Sequence, residues 1–511
     1  MDDRQQRGER HARTHVPLAP PSPYDGLEEA ALSLLLPGAG QLRAGRWHRG
    51  VVMVAVTLGV ATLGAVLPLR GVAALAGALA RTRTIDGMLA VDLALLTFRV
   101  YAVVDAYRCA RRPLRQRGHR AALPRTGRER GVVALSAMLL AILLLLPHAG
   151  VAYYGLHARA LLTDVFTARA AAAPATDTAR LRPVDEPSET APAMWPSGPG
   201  FEGRERVTVL LLGGDAGPMR TGLRTDTVMV ATLRPRTGEA DLISIPRNLM
   251  RVPLPAWVPN TWRCDCYPRP INSLYDFYRG RTELVPEGVD PGAAVVTGAI
   301  QELLGLRIDH HVLLDHAAFV EVVDVLGGVT IEVHERVYDQ LDSPDEGEWD
   351  AIDLRPGPHH LDGRQALVYV RTRRQGSDYV RMGRQRCFLA AVAQQLDLST
   401  VVRTFPTMAS ILRRSVRTDM PRDLVPAAIE LALTLDVRDV GVLGLTPPAF
   451  NDGWDDGYPI VDVDAVRAAV RQLVSSGPPP ASVMTARPSP SPTTSPTPGA
   501  TPPATLADAC A

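Results

Sequence analysis

Residues 51–69, VVMVAVTLGVATLGAVLPL, carry no charged side chain, and this run limits what the chain can fold into more than any other feature. As a helix rising about 1.5 Å per residue it spans a hydrocarbon layer of about 30 Å. Residues 132–153 form a second run without Asp, Glu or Arg, ending at the Tyr153–Tyr154 pair, the amphipathic type of side chain that settles at a membrane interface. A third stretch, Met88 to Tyr107, is apolar but contains Asp92, Arg99 and Asp105. Each of these costs a few kcal/mol at mid-membrane unless it pairs or faces another helix. The segment Ala30–Leu36 is too short to cross and is followed by PGAGQLRAGRWHRG, so it is expected to lie at the interface or to re-enter. Gly71–Ala80 is a candidate for a fourth crossing.

Nine arginines lie between Tyr107 and Gly131, and such clusters beside spans stay in the cytoplasm. The predicted organisation is a cytoplasmic segment over 1–50 and a membrane region over 51–153, with spans at about 51–69, 88–107 and 132–153 and an Arg-rich cytoplasmic loop over 108–131. An Ala-, Pro-, Thr- and Ser-rich stalk follows over 154–203, then a globular domain over 204–474 and a Pro/Ser/Thr-rich disordered tail over 475–511. The first 25 residues hold no apolar signal-peptide core, so the spans are expected to anchor the chain permanently.

The formal net charge is +1, with 55 basic against 54 acidic side chains, and every basic residue is arginine. That balance removes the broad positive field of a general nucleic-acid binder, so no nucleic-acid partner is expected. Without lysine, a Walker A loop, a Schiff base and a serine–lysine dyad are all excluded. Arginine forks remain, and they suit phosphate. The composition points to a GC-rich, actinobacterial-type genome. Cys109, Cys264, Cys266, Cys387 and Cys510 lack the paired spacing of a zinc ribbon.

Within 204–474, VTVLLL (207–212) reads as a buried strand delivering Asp215 at its carboxyl end. TVMVATL and ADLISI flank the turn PRTGE and read as a hairpin, whose mouth carries Arg224, Asp226 and Arg247. A hairpin returns the chain to its origin, so these three are expected near one another and near Asp215, as a functional cluster or as a surface ion-pair group. Residues 291–306 read as helix, RIDHHVLLD as strand, HAAFVEVVDVLGG as helix and VTIEV as strand, which gives a layered α/β domain. Asp324 is expected as a helix cap or a ligand, Glu335–Asp353 as a solvated acidic loop, and His310 and His311 as structural.

The run from Leu361 to Leu396 is the most informative. Arg371 and Arg373 alternate at strand-like spacing, whereas Arg381, Arg384 and Gln385 share one side of a helix. Only Asp378 offers a counter-charge, so a bound phosphate is the expected partner of these arginines.

With VTVLLLGGD, RTDTVMVATLRPRTGEADLISIPRN, INSLY, VDVLGGVTIEV, LDGRQALVYVRTR and DYVRMGRQR in this order, the region 204–474 resembles the LytR-CpsA-Psr family of cell-wall glycopolymer ligases. The resemblance implies a polyprenyl pyrophosphate whose tail lies in an apolar tunnel and whose head is held by arginines and Mg²⁺. It implies Asp215 and Asp226 as metal carboxylates, and Arg224, Arg247, Arg371, Arg373, Arg381 and Gln385 as pyrophosphate ligands. The chain departs from the pattern at Asn248, where the family usually has Asp, at Arg269–Pro270, where it often has Lys, and in the insertion WRCDCYPRP. A disulfide from Cys264 or Cys266 to Cys387 is permitted outside the cell.

The expected activity is Mg²⁺-dependent transfer of a phosphoglycan from an undecaprenyl (polyprenyl) pyrophosphate carrier to peptidoglycan. The catalytic residues are then Asp215, Asp226, Arg224 and Arg247, with membrane lipid around the spans. The alternatives are a prenyl pyrophosphate phosphohydrolase and a non-catalytic membrane regulator that binds the same lipid. A reporter fused after Gly203 is expected to be active only outside the cytoplasm; activity inside overturns the orientation.

Overall fold

The computed structural model describes residues 22–66, 72–116, 124, 126–166, 205–215, 222–259, 262–342, 349–433, 435–476 and 504–505. Most of the expected stalk and tail lies outside these residues. The chain divides into two compact units, one made of residues 1–70 and 87–153, the other of 71–86 and 154–511.

The amino-terminal helices are α1 (Leu27–Leu35), α2 (Ala39–Arg43), α3 (Trp47–Val66), α4 (Val72–Leu79), α5 (Thr82–Gln116) and α6 (Gly127–Asp164). Three of them, α3, α5 and α6, are long and apolar enough to cross a membrane. The eight residues of α4 reach only about 12 Å, which rules out a fourth crossing by this helix. Helix α6 continues past Tyr153 to Asp164 and so occupies the start of the expected stalk. Its extension LHARALLTD is rich in Ala and Leu, and lengthening an existing helix avoids the cost of nucleation. The Ala30–Leu36 segment forms α1, which turns into α2 through Gly38 at φ 107°. A Cβ at Gly38 would stand 2.4 Å from the Gly50 carbonyl oxygen, so only glycine fits there.

Within the first unit the polar residues of the apolar segments find partners. Gln41 Nε2 donates to Ala102 O (2.8 Å) and Ser33 Oγ donates to Gln41 Oε1 (2.7 Å). Arg49 donates to Asp105 (2.8 Å), Arg99 to Leu34 O (2.9 Å), and His148 Nδ1 lies 2.7 Å from Asp92. Pairing of this kind is what makes such groups tolerable among apolar surroundings.

The second unit is built on a seven-stranded mixed sheet. The strands are β1 (Val207–Gly214), β2 (Thr225–Leu233), β3 (Ala240–Ile245), β4 (His310–Asp315), β5 (Val416–Thr418), β6 (Gly441–Gly444) and β7 (Ala504–Thr505), in the order β5-β4-β1-β2-β3-β6-β7. Strand β1 is parallel to β4 and β3 to β6, while β2 runs antiparallel to β1 and β3. The carboxyl ends of β1, β3, β4 and β6 therefore share one edge, where α/β sheets present their sites.

Side-chain alternation assigns the two faces. Leu210, Leu212, Val228, Val230, Ile243 and Ile245 pack against α7 (Pro291–Leu304) and the helix Val463–Ser476. The other face, with Leu211, Met229 and Leu242, meets Ala390. On that side lie α8 (His316–Leu326), α9 (Gly363–Arg371) and α10 (Asp378–Gln395). This confirms a layered α/β domain.

One local expectation, VTIEV as a strand, holds with an unexpected partner, and the acidic loop is corrected. VTIEV is a strand but pairs with Gly357–Leu361 in a separate two-stranded sheet. The acidic stretch is a hairpin, Val337–Asp342 against Trp349–Leu354, because Val337, Ile352 and Leu354 are buried in a small core, and two of its acids, Asp339 and Asp350, bond to Thr372 and Arg364. Asp324 does not cap its own helix, which ends at Gly327; its Oδ1 accepts from Gly363 N at 2.7 Å, and His311 N donates to Asp419 (2.8 Å).

Helix α7 starts at Asp290, whose Oδ1 accepts from Ala293 N (3.1 Å) and whose Oδ2 accepts from Tyr275 OH (2.6 Å). Asp290→Ala removes a cap and orphans a phenol, and is expected to cost about 2 kcal/mol. Thermal unfolding of the solubilised chain checks this; an unchanged melting temperature contradicts it.

Candidate functional site

Strand β1 ends at Gly214, and Asp215 N donates to Arg224 O at 2.8 Å, which sets Asp215 beside the start of β2. Asp226 stands near the start of β2 and Arg247 just beyond β3, so the hairpin closes them into a pair. Asp226 also accepts from Asn272 Nδ2 at 3.0 Å. The expected cluster at the hairpin mouth is thus formed. Arg224 joins it through its backbone, with its side chain exposed.

The run 361–396 folds differently from its strand-like spacing. Gly363–Arg371 is helix α9, opened by a capping box in which Asp362 and Gln365 satisfy each other's backbone N–H groups. Val368, Tyr369 and Val370 favour strands, but the cap and the burial of one helix face outweigh that preference. Arg371 is the last residue of α9, and Arg373 lies past its end.

Helix α10 presents Arg381, Arg384 and Gln385 inward, all buried. Arg381 is only 2% exposed and donates to Asp378 Oδ2 at 3.1 Å. Asp378 also accepts from Arg247 Nε at 3.2 Å, and Arg373 approaches it at 3.9 Å. Three guanidinium groups, Arg247, Arg373 and Arg381, therefore surround two carboxylates, Asp226 and Asp378. Burial, then the neighbouring Arg247, pushes the Arg381 guanidinium down to about 10, against the pull of Asp378 and Asp226. Surplus positive charge in a desolvated place is what an anion would relieve.

Two of these groups, Asp226 and Arg381, border a cavity of about 260 Å³. Its wall is apolar, with Leu211, Met229, Val312, Phe319, Leu367 and Phe388, whereas Asp226, Thr227, His316, Arg371, Arg381 and Gln385 supply its polar part. Gln385 Nε2 donates to Thr227 Oγ1 (3.0 Å) and Val370 O (3.2 Å), which fixes its amide at the lining. Arg384 is spent on the Thr372 carbonyl, and Arg373 is exposed and outside the lining.

Four participants went unassigned from sequence. Asp378 was legible as the lone acid in an arginine-rich run, and Asn272 sits in the INSLY motif. Thr227 and His316 gave no signal; His316 Nδ1 lies 3.3 Å from Asp215 Oδ1. Asn248 stands beside Tyr379, whose hydroxyl it engages. Arg269 stacks on Phe277, 5.8 Å from the ring centre. Cys264 is joined to Cys266, which settles their pairing in favour of each other over Cys387.

Mg²⁺ takes oxygen ligands and commonly uses one or two carboxylates plus substrate phosphates. Asp215 and Asp226, at adjacent strand ends, fit that donor chemistry. Among the described residues no group of three His, Cys, Asp or Glu is assembled for a metal, so phosphate and water oxygens would complete the set.

Residues 162–460 match the LytR_cpsA_psr family. The probable cell wall biosynthesis protein LcpB of Corynebacterium glutamicum is 32% identical over 211 residues, which cover 40% of this chain and 42% of that protein. The polyisoprenyl-teichoic acid–peptidoglycan teichoic acid transferase TagU of Enterococcus faecalis is 26% identical over 245 residues, 47% of this chain and 70% of its own length. TagT of Bacillus subtilis, of the same designation, is 29% identical and matched over 58% of its length. The match thus spans less than two thirds of LcpB and TagT. Among solved structures, B. subtilis TagV is 23% identical with a TM-score of 0.38, covering 52% of this chain and 95% of that one.

Asp378→Asn leaves Arg381 buried without its carboxylate and is expected to destabilise the domain by about 3 kcal/mol. Chemical denaturation measures this; a variant as stable as the parent shows that the arginines do not depend on Asp378.

Proposed function

From the premise that the chain belongs to the LytR_cpsA_psr family, we propose that it is a membrane-anchored cell-wall glycopolymer transferase. The donor is a phosphoglycan on a polyprenyl pyrophosphate, and the acceptor is a peptidoglycan hydroxyl outside the membrane. The observation that carries this reading is the cavity whose apolar wall leads to Arg371, Arg381 and Asp226, the last of these paired with Arg247. Such a gradient matches a ligand with a hydrocarbon tail and a phosphate head. The relatives named as teichoic acid transferases support the reaction class.

In the proposed reaction the acceptor oxygen attacks the phosphorus that bears the glycan. A new O–P bond forms, the bridging P–O bond of the pyrophosphate breaks, and prenyl phosphate leaves with the bridging oxygen. The acceptor's proton passes to Asp215 or Asp226. Little covalent work falls to the protein in such transfers, and charge stabilisation dominates. Arg371 and Arg381 grip the phosphates from the cavity wall, Arg247 holds Asp226 in place, and Gln385 fixes the edge of the site. Mg²⁺ held by Asp215 and Asp226 would neutralise charge on the pyrophosphate. The α3, α5 and α6 helices anchor the chain, with the amino-terminus inside and the second unit outside by the charge bias.

Purified full-length protein given a labelled prenyl-pyrophosphate donor is expected to label peptidoglycan and release prenyl phosphate. Release without acceptor labelling makes it a hydrolase, and binding without turnover makes it a regulator. Asp226→Asn is expected to abolish Mg²⁺-dependent turnover. Arg371→Lys keeps the charge but loses the planar fork and should lower kcat/KM by about ten- to a hundredfold, the worth of a charge-assisted contact of about 1.5–3 kcal/mol. Arg373→Lys, outside the lining, should lower it less. Equal losses in both arginine variants would contradict the separation of their roles.

A further inference from the structure

One arginine on α10 has no place in the cluster described above. Arg386 is part-buried, its Nε and Nη1 are shielded from solvent, and neither meets a hydrogen-bond partner among the described residues. Burial holds its guanidinium below the usual value, and no acid among the described residues offsets it. An uncompensated buried charge is costly, so its persistence calls for a counter-ion.

The surroundings supply a second unsatisfied group. Ser244 is 1% exposed and its Oγ has no partner. It is in register with Met229 on β2 and with Gly444 on β6, which places it on the sheet face that α10 covers. Gly444 is where Arg386 comes down on the sheet, since a Cβ there would stand 3.4 Å from Nη1. Asp241, the acid of β3, is three residues away and so on the opposite face, where Arg206 approaches it at 3.7 Å. Among the described residues, β3 and β6 offer Arg386 no acid on this face. The place lies at the carboxyl ends of β3 and β6, along the same edge as Asp215 and Arg247 but on the other side of Ser244 from β1.

We propose that Arg386 and Ser244, neighbours beside Gly444, form a second oxyanion site that takes a phosphate or phosphodiester group, separate from the cluster around Arg381. A planar guanidinium and a hydroxyl, both donors, match a tetrahedral oxyanion with several acceptor oxygens. The site does not depend on the transfer reaction, because its occupancy can be read with inorganic phosphate alone.

Equilibrium dialysis of radiolabelled inorganic phosphate against the full-length protein in detergent tests it, alongside thermal unfolding. Two classes of phosphate site are expected in the parent. Arg386→Met should weaken one class by ~tenfold or more while leaving the other, the value of a lost charge-assisted contact. Its unliganded melting temperature should hold or rise, because an unpaired buried charge is gone. Arg386→Lys, which keeps the charge, and Ser244→Ala should each weaken the same class by less. Unchanged phosphate binding in all three variants overturns the proposal, as does a single class of site in the parent. A glycerol phosphate oligomer that displaces phosphate from this class assigns it to the phosphodiesters of a polymer; failure to displace assigns it to free phosphate.

Discussion

Asp378 accepting from both Arg247 and Arg381 is the interaction on which the rest of the second unit's site depends. It ties the first turn of α10 to the chain leaving β3, two segments more than a hundred residues apart in sequence. Arg381 is nearly inaccessible to solvent, and without a carboxylate its charge could not remain there. Because one carboxylate serves more than one guanidinium, the same contact that holds the fold leaves positive charge unspent. Stability and the proposed affinity for an anion therefore rest on one arrangement.

The cavity beside this cluster follows from the sheet. In β1 and β2 the side chains facing α10 include Leu211 and Met229, and further along the same strands the chain supplies Asp226 and Thr227. Alternation fixes which residues face the helices, and the strand ends fix where polarity begins. The gradient from apolar to cationic arises where the start of β2 meets the end of α9 and the buried side of α10, which supply Arg371 and Arg381. In the first unit the same chemistry appears inverted: Ser33, Gln41, Asp92, Asp105 and His148 are polar groups within or beside apolar helices, each with a partner in the unit. Such pairs let helices carry charges into an apolar setting and also fix which faces of them meet.

Much of this was legible in the sequence. Two charge-free runs and one apolar run with three charges gave three crossing-length helices, apolar runs and a turn between two of them gave β1 to β4, and the order of motifs gave the family. The hairpin between β2 and β3 placed Arg224, Asp226 and Arg247 together, because a short turn fixes the geometry of both strand ends. Arg381 and Gln385 were found because helical spacing puts them on one side. These are local facts, set by backbone periodicity and turn length.

Other features were decided by tertiary structure. Residues 363–371 have strand-like composition yet are helical, because a capping box starts the helix and a core formed by distant segments buries one face of it. Arg371 and Arg373 consequently part, one lining the cavity and one exposed. The acidic stretch after Glu335 is ordered by a few apolar residues that find their core only once α9 packs there. The sequence also could not show that Asp378 reaches Arg247, nor that Arg386 Nε and Nη1 and Ser244 Oγ meet no hydrogen-bond partner among the described residues. Periodicity specifies which way a side chain points; which distant charge it meets, and whether water is excluded there, is settled only when the layers pack.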